Sequence, residues 1–229
     1  MAEWKNDKEL FNIIKKELFT ALVGDIMDGL GFTQQFLPPQ IKPLKPEMVL
    51  VGRAMTVLEA DCCSTRIVSN NNEEKPFGLM LEALDDLRED EVYICSGGSP
   101  AYARWGELMT IRAKYLKAAG AVMDGYSRDT KQVLSLDFPV FSWGNYAKDQ
   151  GVRGRVIDYR CPIEFPNRVR IKPRDIIIGD IDGVVAIPGS IEEEVIEKAL
   201  EKRRRENKVA MALNKGMSTQ EAFINFGVM

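Results

Sequence analysis

From Trp105 to Thr130 the chain reads WGELMTIRAKYLKAAGAVMDGYSRDT, so that Glu107 is followed after twenty residues by the pair Arg128-Asp129. Three kinds of chemistry suit these residue types. Arg128 offers a planar fork to a carboxylate. Asp129 offers oxygen to a hard cation. Glu107 can hold a water on such a cation. Just upstream, the backbone N–H groups of Gly97, Gly98 and Ser99 in the loop SGGSP can form a nest for an anion. Each residue also has an ordinary role. Asp129 suits the cap of a helix starting at Thr130, Glu107 suits the positive end of a helix, Arg128 can pair with a surface acid, and the glycines can simply turn the chain.

Composition narrows the chemistry. No histidine occurs among the 229 residues. Ser-His-Asp and Cys-His catalysis are therefore excluded, along with histidine metal sites. Acid–base work falls to Asp, Glu, Lys, Tyr, Cys or water. A metal would be held by oxygen or thiolate, and oxygen favours magnesium, manganese or calcium. The cysteines Cys62, Cys63, Cys95 and Cys161 form no CxxC pair,; Cys62 and Cys63 are expected as buried reduced thiols, Cys95 as core. A formal net charge of −3 supplies no basic field for nucleic acid,. No apolar run reaches membrane-spanning length, and MAEWKNDKELF has no signal-peptide core, so a cytoplasmic protein is expected.

These residues need elements to carry them. Helical spacing of Leu10, Phe11, Ile13, Ile14, Leu18, Phe19 and Leu22 predicts one N-terminal helix over 7–30, closed by Gly29 and Gly31. MVLVGRAMTVLEAD reads as an alternating strand. From Glu91 the order is strand (VYICS), helix (GELMTIRAKYLKAAG, with Gly120 as its stop), strand (AVMDG), short helix (TKQVLSLD) and strand (FPVFSWG). Such a β-α-β-α-β run predicts parallel pairing with right-handed crossovers. Its carboxyl edge would then gather the glycine loop, Glu107, Arg128 and Asp129. Further strands follow, with a turn at Asp182-Gly183. Ser190 and Glu193 predict a capping box opening a charged helix over 190–214. One α/β domain over 1–229, with a β-rich portion around the β-α-β-α-β unit, is the expected architecture.

The string GELM…AAGAVMDGYSRD resembles the signature of the RraA-like family, which includes divalent-metal-dependent 4-hydroxy-4-methyl-2-oxoglutarate/4-carboxy-4-hydroxy-2-oxoadipate aldolases. The likeness extends through GRAMTV, GDIDGVVAIP and the C-terminal helix. Where those aldolases carry Asp at the first acidic position, this chain has Glu107. The resemblance implies a swivelling β/β/α fold with a barrel-like portion. It also implies a class II aldolase that cleaves a 4-hydroxy-2-keto acid to pyruvate, with oxaloacetate decarboxylation as related chemistry. Asp129 would ligate Mg²⁺ or Mn²⁺, with Glu107 acting through a water. Arg128 and the amides of Gly97, Gly98 and Ser99 would hold the 2-keto acid. Family members form trimers or hexamers whose sites take an acidic residue from a neighbour, for which Glu206 is the candidate. The family also contains protein regulators that bind and inhibit an RNA-degrading enzyme without catalysis. A Schiff-base aldolase using Lys114, Lys117 or Lys131 is a further rival; the first two sit on a helix with no apolar signature around them.

Overall fold

The computed structural model describes residues 4–62, 75 and 77–227. Cys63 and most of the polar loop before Phe77 lie outside them. In chain order the elements are α1 (Asp7–Glu17), α2 (Thr20–Gly29), β1 (Lys42–Pro43), β2 (Leu50–Asp61), α3 (Met80–Asp85), β3 (Glu91–Ser96), β4 (Ala103–Trp105), α4 (Glu107–Tyr115), β5 (Gly120–Met123) and β6 (Tyr126–Ser127). They continue as α5 (Thr130–Ser135), β7 (Val140–Ser142), β8 (Gly154–Tyr159), β9 (Ile163–Glu164), β10 (Arg170–Ile171), β11 (Ile176–Asp180), β12 (Gly183–Ile187), α6 (Glu192–Asn214) and α7 (Thr219–Phe226).

Short apolar runs separated by helices dictate the centre of the sheet. Strands β3, β5 and β7 are parallel neighbours, as the β-α-β-α-β pattern predicts, and β2 lies parallel beside β3, a pairing outside that predicted run. Strand β2 is buried along most of its length rather than alternating in exposure. The reason is its position: β3 covers one edge, β11 and β8 share the other, and both faces are packed,. Strands β11 and β12 pair antiparallel and β1 pairs β7, giving a nearly closed, barrel-like sheet in a mixed α/β fold.

Alternate residues divide the core. On β3, Val92 and Ile94 join Leu50, Val122, Phe141 and Ile177 inside the sheet. Tyr93 and Cys95 face the opposite way, toward Trp105, Met123 and Val140. Helices α1, α2 and α6 close another side through Leu10, Ile14, Leu22, Val195 and Ile196. Cys95 is core as expected, whereas Cys62 is only half-buried.

Three boundaries differ from the sequence reading. The single helix over 7–30 is two helices, with extended backbone at Leu18 and Phe19. Asp180, at the end of β11, accepts from the backbone N–H of Thr20 (2.8 Å) and its hydroxyl (2.7 Å), so a residue 160 positions away starts α2. Helix α4 stops at Leu116, where Lys117 takes a left-handed conformation (φ 61). Gly120 instead opens β5 at a close approach, since a Cβ there would lie 2.4 Å from Leu50 Cδ1. The Ser190–Glu193 capping box does not form. Helix α6 begins after Ile191 without a side-chain cap, and Glu192 is turned toward Arg53.

No helix among the described residues is long and apolar enough to cross a membrane.

Candidate active site

Two short strands that the sequence pattern does not reveal build the site. Strands β4 and β6 pair in parallel beyond the main sheet, matching Ala103 with Tyr126 and Trp105 with Ser127. The ladder continues as Arg128 donates its N–H to the Trp105 carbonyl at 2.9 Å. The start of α4 and the pair Arg128-Asp129 are thereby brought together across twenty intervening residues.

Asp129 precedes α5 with a left-handed backbone (φ 54, ψ 34) but makes no side-chain bond to that helix. Its Oδ2 accepts instead from the N–H of Glu107, the first residue of α4, at 3.2 Å. Gly106 makes this approach feasible: a Cβ there would lie 2.7 Å from the same oxygen. An anionic group is thus seated at the positive end of α4.

Arg128 lies between two carboxylates, with Nη1 2.7 Å from Asp149 Oδ1 and Nε 3.7 Å from Asp129 Oδ2. Asp149 is held by its own loop, where its Oδ2 accepts the N–H of Gly151 at 2.9 Å and its carbonyl accepts from Arg153 at 2.8 Å. Neither Asp149 nor its neighbour Gln150 is singled out by the sequence reading. The string DQG does carry a signal, an aspartate two residues before a glycine, which favours a side-chain-to-backbone turn.

These groups form one end of a cleft of about 450 Å³. Arg104, Arg128, Asp129, Asp149 and Gln150 line the polar end, together with Gly106. Residues of α3 and of the first turn of α4 supply much of its apolar lining. A larger hollow of about 580 Å³ at the start of α6 is lined by Glu192, Glu193, Glu194 and Glu197 and contains none of the motif residues.

The expected convergence is only partial. Glu107 contributes its backbone beside Asp129, but its side chain is not among the groups lining the cleft. The glycine loop is not part of the cleft either. Gly97 and Gly98 border a separate hollow of about 320 Å³ with Ser96, Asp124, Glu164 and Arg168. The Ser99 amide is already engaged, because Asp61 Oδ1 accepts its N–H (2.8 Å), its hydroxyl (3.1 Å) and the Tyr102 hydroxyl (3.1 Å). The Ser99 amide, followed by its hydroxyl and that of Tyr102, holds the Asp61 carboxyl below the usual carboxylate range. The glycines let the loop lie against β2, where a Cβ on Gly97 would meet the Glu59 carbonyl at 2.2 Å.

Beneath the loop Arg104 and Glu59 form a buried ion pair at 3.3 Å, and the Cys95 thiol donates to Glu59 at 3.2 Å. Burial pushes the Glu59 carboxyl up, while Arg104 draws it back. Glu206 lies on α6, 3.8 Å from Lys202, outside the cleft of its own chain. Among the described residues no lysine lines the cleft. Lys114 is bonded to the Leu136 carbonyl, Lys117 pairs with Glu89 at 3.6 Å, and Lys131 is exposed.

Asp129 offers one carboxylate of the oxygen type that small hard cations take. Its carboxylate is exposed at the cleft, and its Oδ1 has no hydrogen-bond partner among the described residues. The described residues contain no cluster of three acidic or cysteine side chains able to hold a metal. Any cation here would keep most of its waters, as Mg²⁺ commonly does.

Comparison with known proteins agrees with this architecture. Residues 20–186 match the RraA-like family, described as Aldolase/RraA. A Halalkalibacterium halodurans protein named "Putative 4-hydroxy-4-methyl-2-oxoglutarate aldolase" is 29% identical over 208 residues, covering 90% of this chain and 89% of that protein. Protein DlpA of Legionella pneumophila is 28% identical over 204 residues and 89% of this chain, which spans only 31% of DlpA's length. Among solved structures, a chain from novel cellulases of microbes associated with the gut ecosystem is 34% identical, with a TM-score of 0.78 and 91% of each chain covered. Streptomyces coelicolor RraAS2, an unusual member of the RNase ES inhibitor RraA protein family, superposes with a TM-score of 0.76 at 21% identity, over 91% of this chain and 99% of its own. With a family match over residues 20–186, most of its length, the chain belongs to the RraA-like (Aldolase/RraA) family.

Proposed function

We propose that the chain is a divalent-metal-dependent lyase that cleaves a 4-hydroxy-2-keto acid to pyruvate. The observation that carries this reading is the seating of Asp129 and Arg128, an oxygen ligand and a guanidinium side by side at the polar end of a cleft. Asp129 would hold Mg²⁺ or Mn²⁺. When bound, the cation would polarise the C2 carbonyl and stabilise the negative charge that develops as the C3–C4 bond breaks.

The chain's own residues do the rest. Arg128 binds the C1 carboxylate and sets the substrate's register. The ion pair with Asp149 orients Arg128. Backbone N–H groups at the start of α4 place a positive dipole end beside the reacting oxygens. Glu107, whose side chain stands outside the cleft lining, would act only through a water that takes the C4 hydroxyl proton; C4 becomes a carbonyl, the C3–C4 electron pair passes toward C2, and a proton returned to C3 completes pyruvate,. Decarboxylation of oxaloacetate needs the same stabilisation at C2 and C3.

The absence of any lysine from the described cleft lining argues against a Schiff-base route. A regulator that only binds another protein would have no use for Asp129 and Arg128 lining a cleft. A ring of three subunits, or two stacked rings, in which a neighbouring copy contributes its Glu206, belongs to the same proposal and is tested by light scattering.

The deciding experiment measures pyruvate release from 4-hydroxy-4-methyl-2-oxoglutarate and from oxaloacetate, with Mg²⁺ and after exhaustive chelation. Release that requires the cation is expected. Undiminished activity after chelation, or a lysine labelled by borohydride during turnover, overturns the reading.

A further inference from the structure

We propose that Arg155, which stands outside the cleft lining, is a positioning residue for substrate: through Gly151 and Asp149 it sets the guanidinium of Arg128. The inference rests on the reading of the cleft as a keto-acid site and adds to it the residue that aims the carboxylate-binding group.

Arg155 lies on β8 and is 2% exposed. Among the described residues no carboxylate pairs with it, and its Nε and Nη2 have no hydrogen-bond partner. Its Nη1 alone is engaged, donating to the carbonyls of Gly151 at 2.6 Å and Gly154 at 2.7 Å. A buried guanidinium without an acid beside it is costly to keep. Both carbonyls that it holds belong to the turn following Asp149, so the position of that turn is what the buried charge secures.

The turn is joined to the cleft bond by bond. Arg155 holds the Gly151 carbonyl, the Gly151 N–H donates to Asp149 Oδ2 at 2.9 Å, and Asp149 Oδ1 lies 2.7 Å from Arg128 Nη1. Strand β4 fixes the near end of the turn, where Ala103 donates its N–H to the Lys148 carbonyl at 2.8 Å. Gly151 leaves space for the carboxylate, since a Cβ there would lie 2.4 Å from Asp149 Oδ2. Asp149 and Asp129, the two carboxylates beside Arg128, are thus seated alike: each accepts an N–H, and each lies against a glycine that has no room for a side chain. The Arg128 side chain is 39% exposed, and without a fixed partner it would choose among rotamers in water,. An Asp149 held from behind removes that freedom before substrate arrives.

Calorimetry with pyruvate in saturating Mg²⁺, and with Mg²⁺ alone, separates aiming of Arg128 from metal binding and from stability. Gly151→Ala and Arg155→Met interrupt the series at its middle and at its origin. The Gly151 backbone lies outside the left-handed region, so alanine there disturbs only the contact with Asp149,. Each change is expected to weaken pyruvate binding roughly tenfold, the lower range for loss of a supporting residue behind a binding group, with Mg²⁺ affinity unchanged. The two together should do no more harm than the worse one alone, because both act along one path. Arg155→Lys keeps the charge and can reach one carbonyl, so its affinity should fall between those of Arg155→Met and the unaltered protein. Unchanged pyruvate affinity in Gly151→Ala or in Arg155→Met, or losses that add, overturns the inference and leaves the keto-acid site standing; Arg155 then serves the fold alone, which a lowered unfolding midpoint registers. If Arg155→Met does not fold, Arg155→Lys is read in its place, and unaltered affinity there overturns the inference equally. If the unaltered protein binds no pyruvate, the reading of the cleft as a keto-acid site falls, and the inference falls with it.

Discussion

The carboxylate of Asp129 does not cap the helix it precedes; it reaches across to the N–H of Glu107, 3.2 Å away at the start of α4. The two acidic positions of the motif are therefore coupled through a backbone bond rather than side by side as two carboxylates. Asp129 also adopts a left-handed backbone, which is uncommon outside glycine and costs free energy that the surrounding structure must offset,. Such a conformation at a cleft fits a residue held for its side chain.

Asp129→Asn tests the role of that carboxylate with little disturbance. Asn tolerates the left-handed conformation and can still accept from Glu107. The thermal midpoint should shift by no more than a few degrees. Mg²⁺ affinity and pyruvate release should fall together, read by calorimetry and by coupled assay. Unchanged metal binding would remove Asp129 from the metal site.

Gly106→Ala should act on the same carboxylate from outside it. The backbone at Gly106 is extended (φ −159), so alanine is accepted there without strain,. The new Cβ would lie 2.7 Å from Asp129 Oδ2 and must push it aside. A displacement near 1 Å at a reacting centre can lower turnover on the order of 100-fold. The expected pattern is a loss of kcat and of Mg²⁺ affinity with a nearly normal unfolding curve.

Arg128→Lys keeps the charge beside Asp149 but loses the planar fork. Mg²⁺ binding should persist while kcat/KM drops by roughly 100-fold, the cost typical of removing one well-placed donor. A variant that loses metal binding as well would show that Arg128 holds Asp129 in place rather than holding substrate.

Acid sensitivity should reside partly at the N-terminus. Arg53 donates to both oxygens of Asp7, at 2.9 and 2.6 Å, and also binds Glu192, tying α1, β2 and α6 together. The bond to Arg53 holds the Asp7 carboxyl below its ordinary value. The folded chain consequently binds fewer protons at Asp7 than the unfolded chain in acid. The stability this contributes is complete above about pH 4, the unfolded value, and is lost as pH falls through the depressed folded value. Asp7→Asn should flatten the fall of the urea midpoint between about pH 4 and pH 2. An unaltered acid profile would assign the sensitivity to other carboxylates.

Ser218→Ala should loosen only the end of the chain. The capping box absent at Ser190 is present here, with Ser218 and Glu221 bonding reciprocally at the start of α7. Loss of such a cap costs about 1 kcal/mol of helix stability. Amide exchange should quicken through α7 while pyruvate release stays unchanged.

Much of this architecture is legible in the order of residues. Short apolar runs alternating with helical spacing from Glu91 to Ser142 specify parallel strands, because such strands need crossover helices and bury both faces. The same order puts the start of α4 and Arg128-Asp129 on one carboxyl edge, and the absence of histidine restricts the chemistry that edge can do. Contacts across long separations decided the rest. Asp180 breaks the N-terminal helix from 160 residues away, and Asp61 takes the Ser99 amide from 38 residues away. Asp149 reaches Arg128 only because its loop lies beside β4 and β6, through bridges at Ala103–Asp149 and Ser127–Asn145. Local propensity and spacing govern what a residue does to neighbours within a turn or two of chain. Which acid satisfies which N–H or guanidinium is settled when the sheet closes and distant groups compete for the same partner.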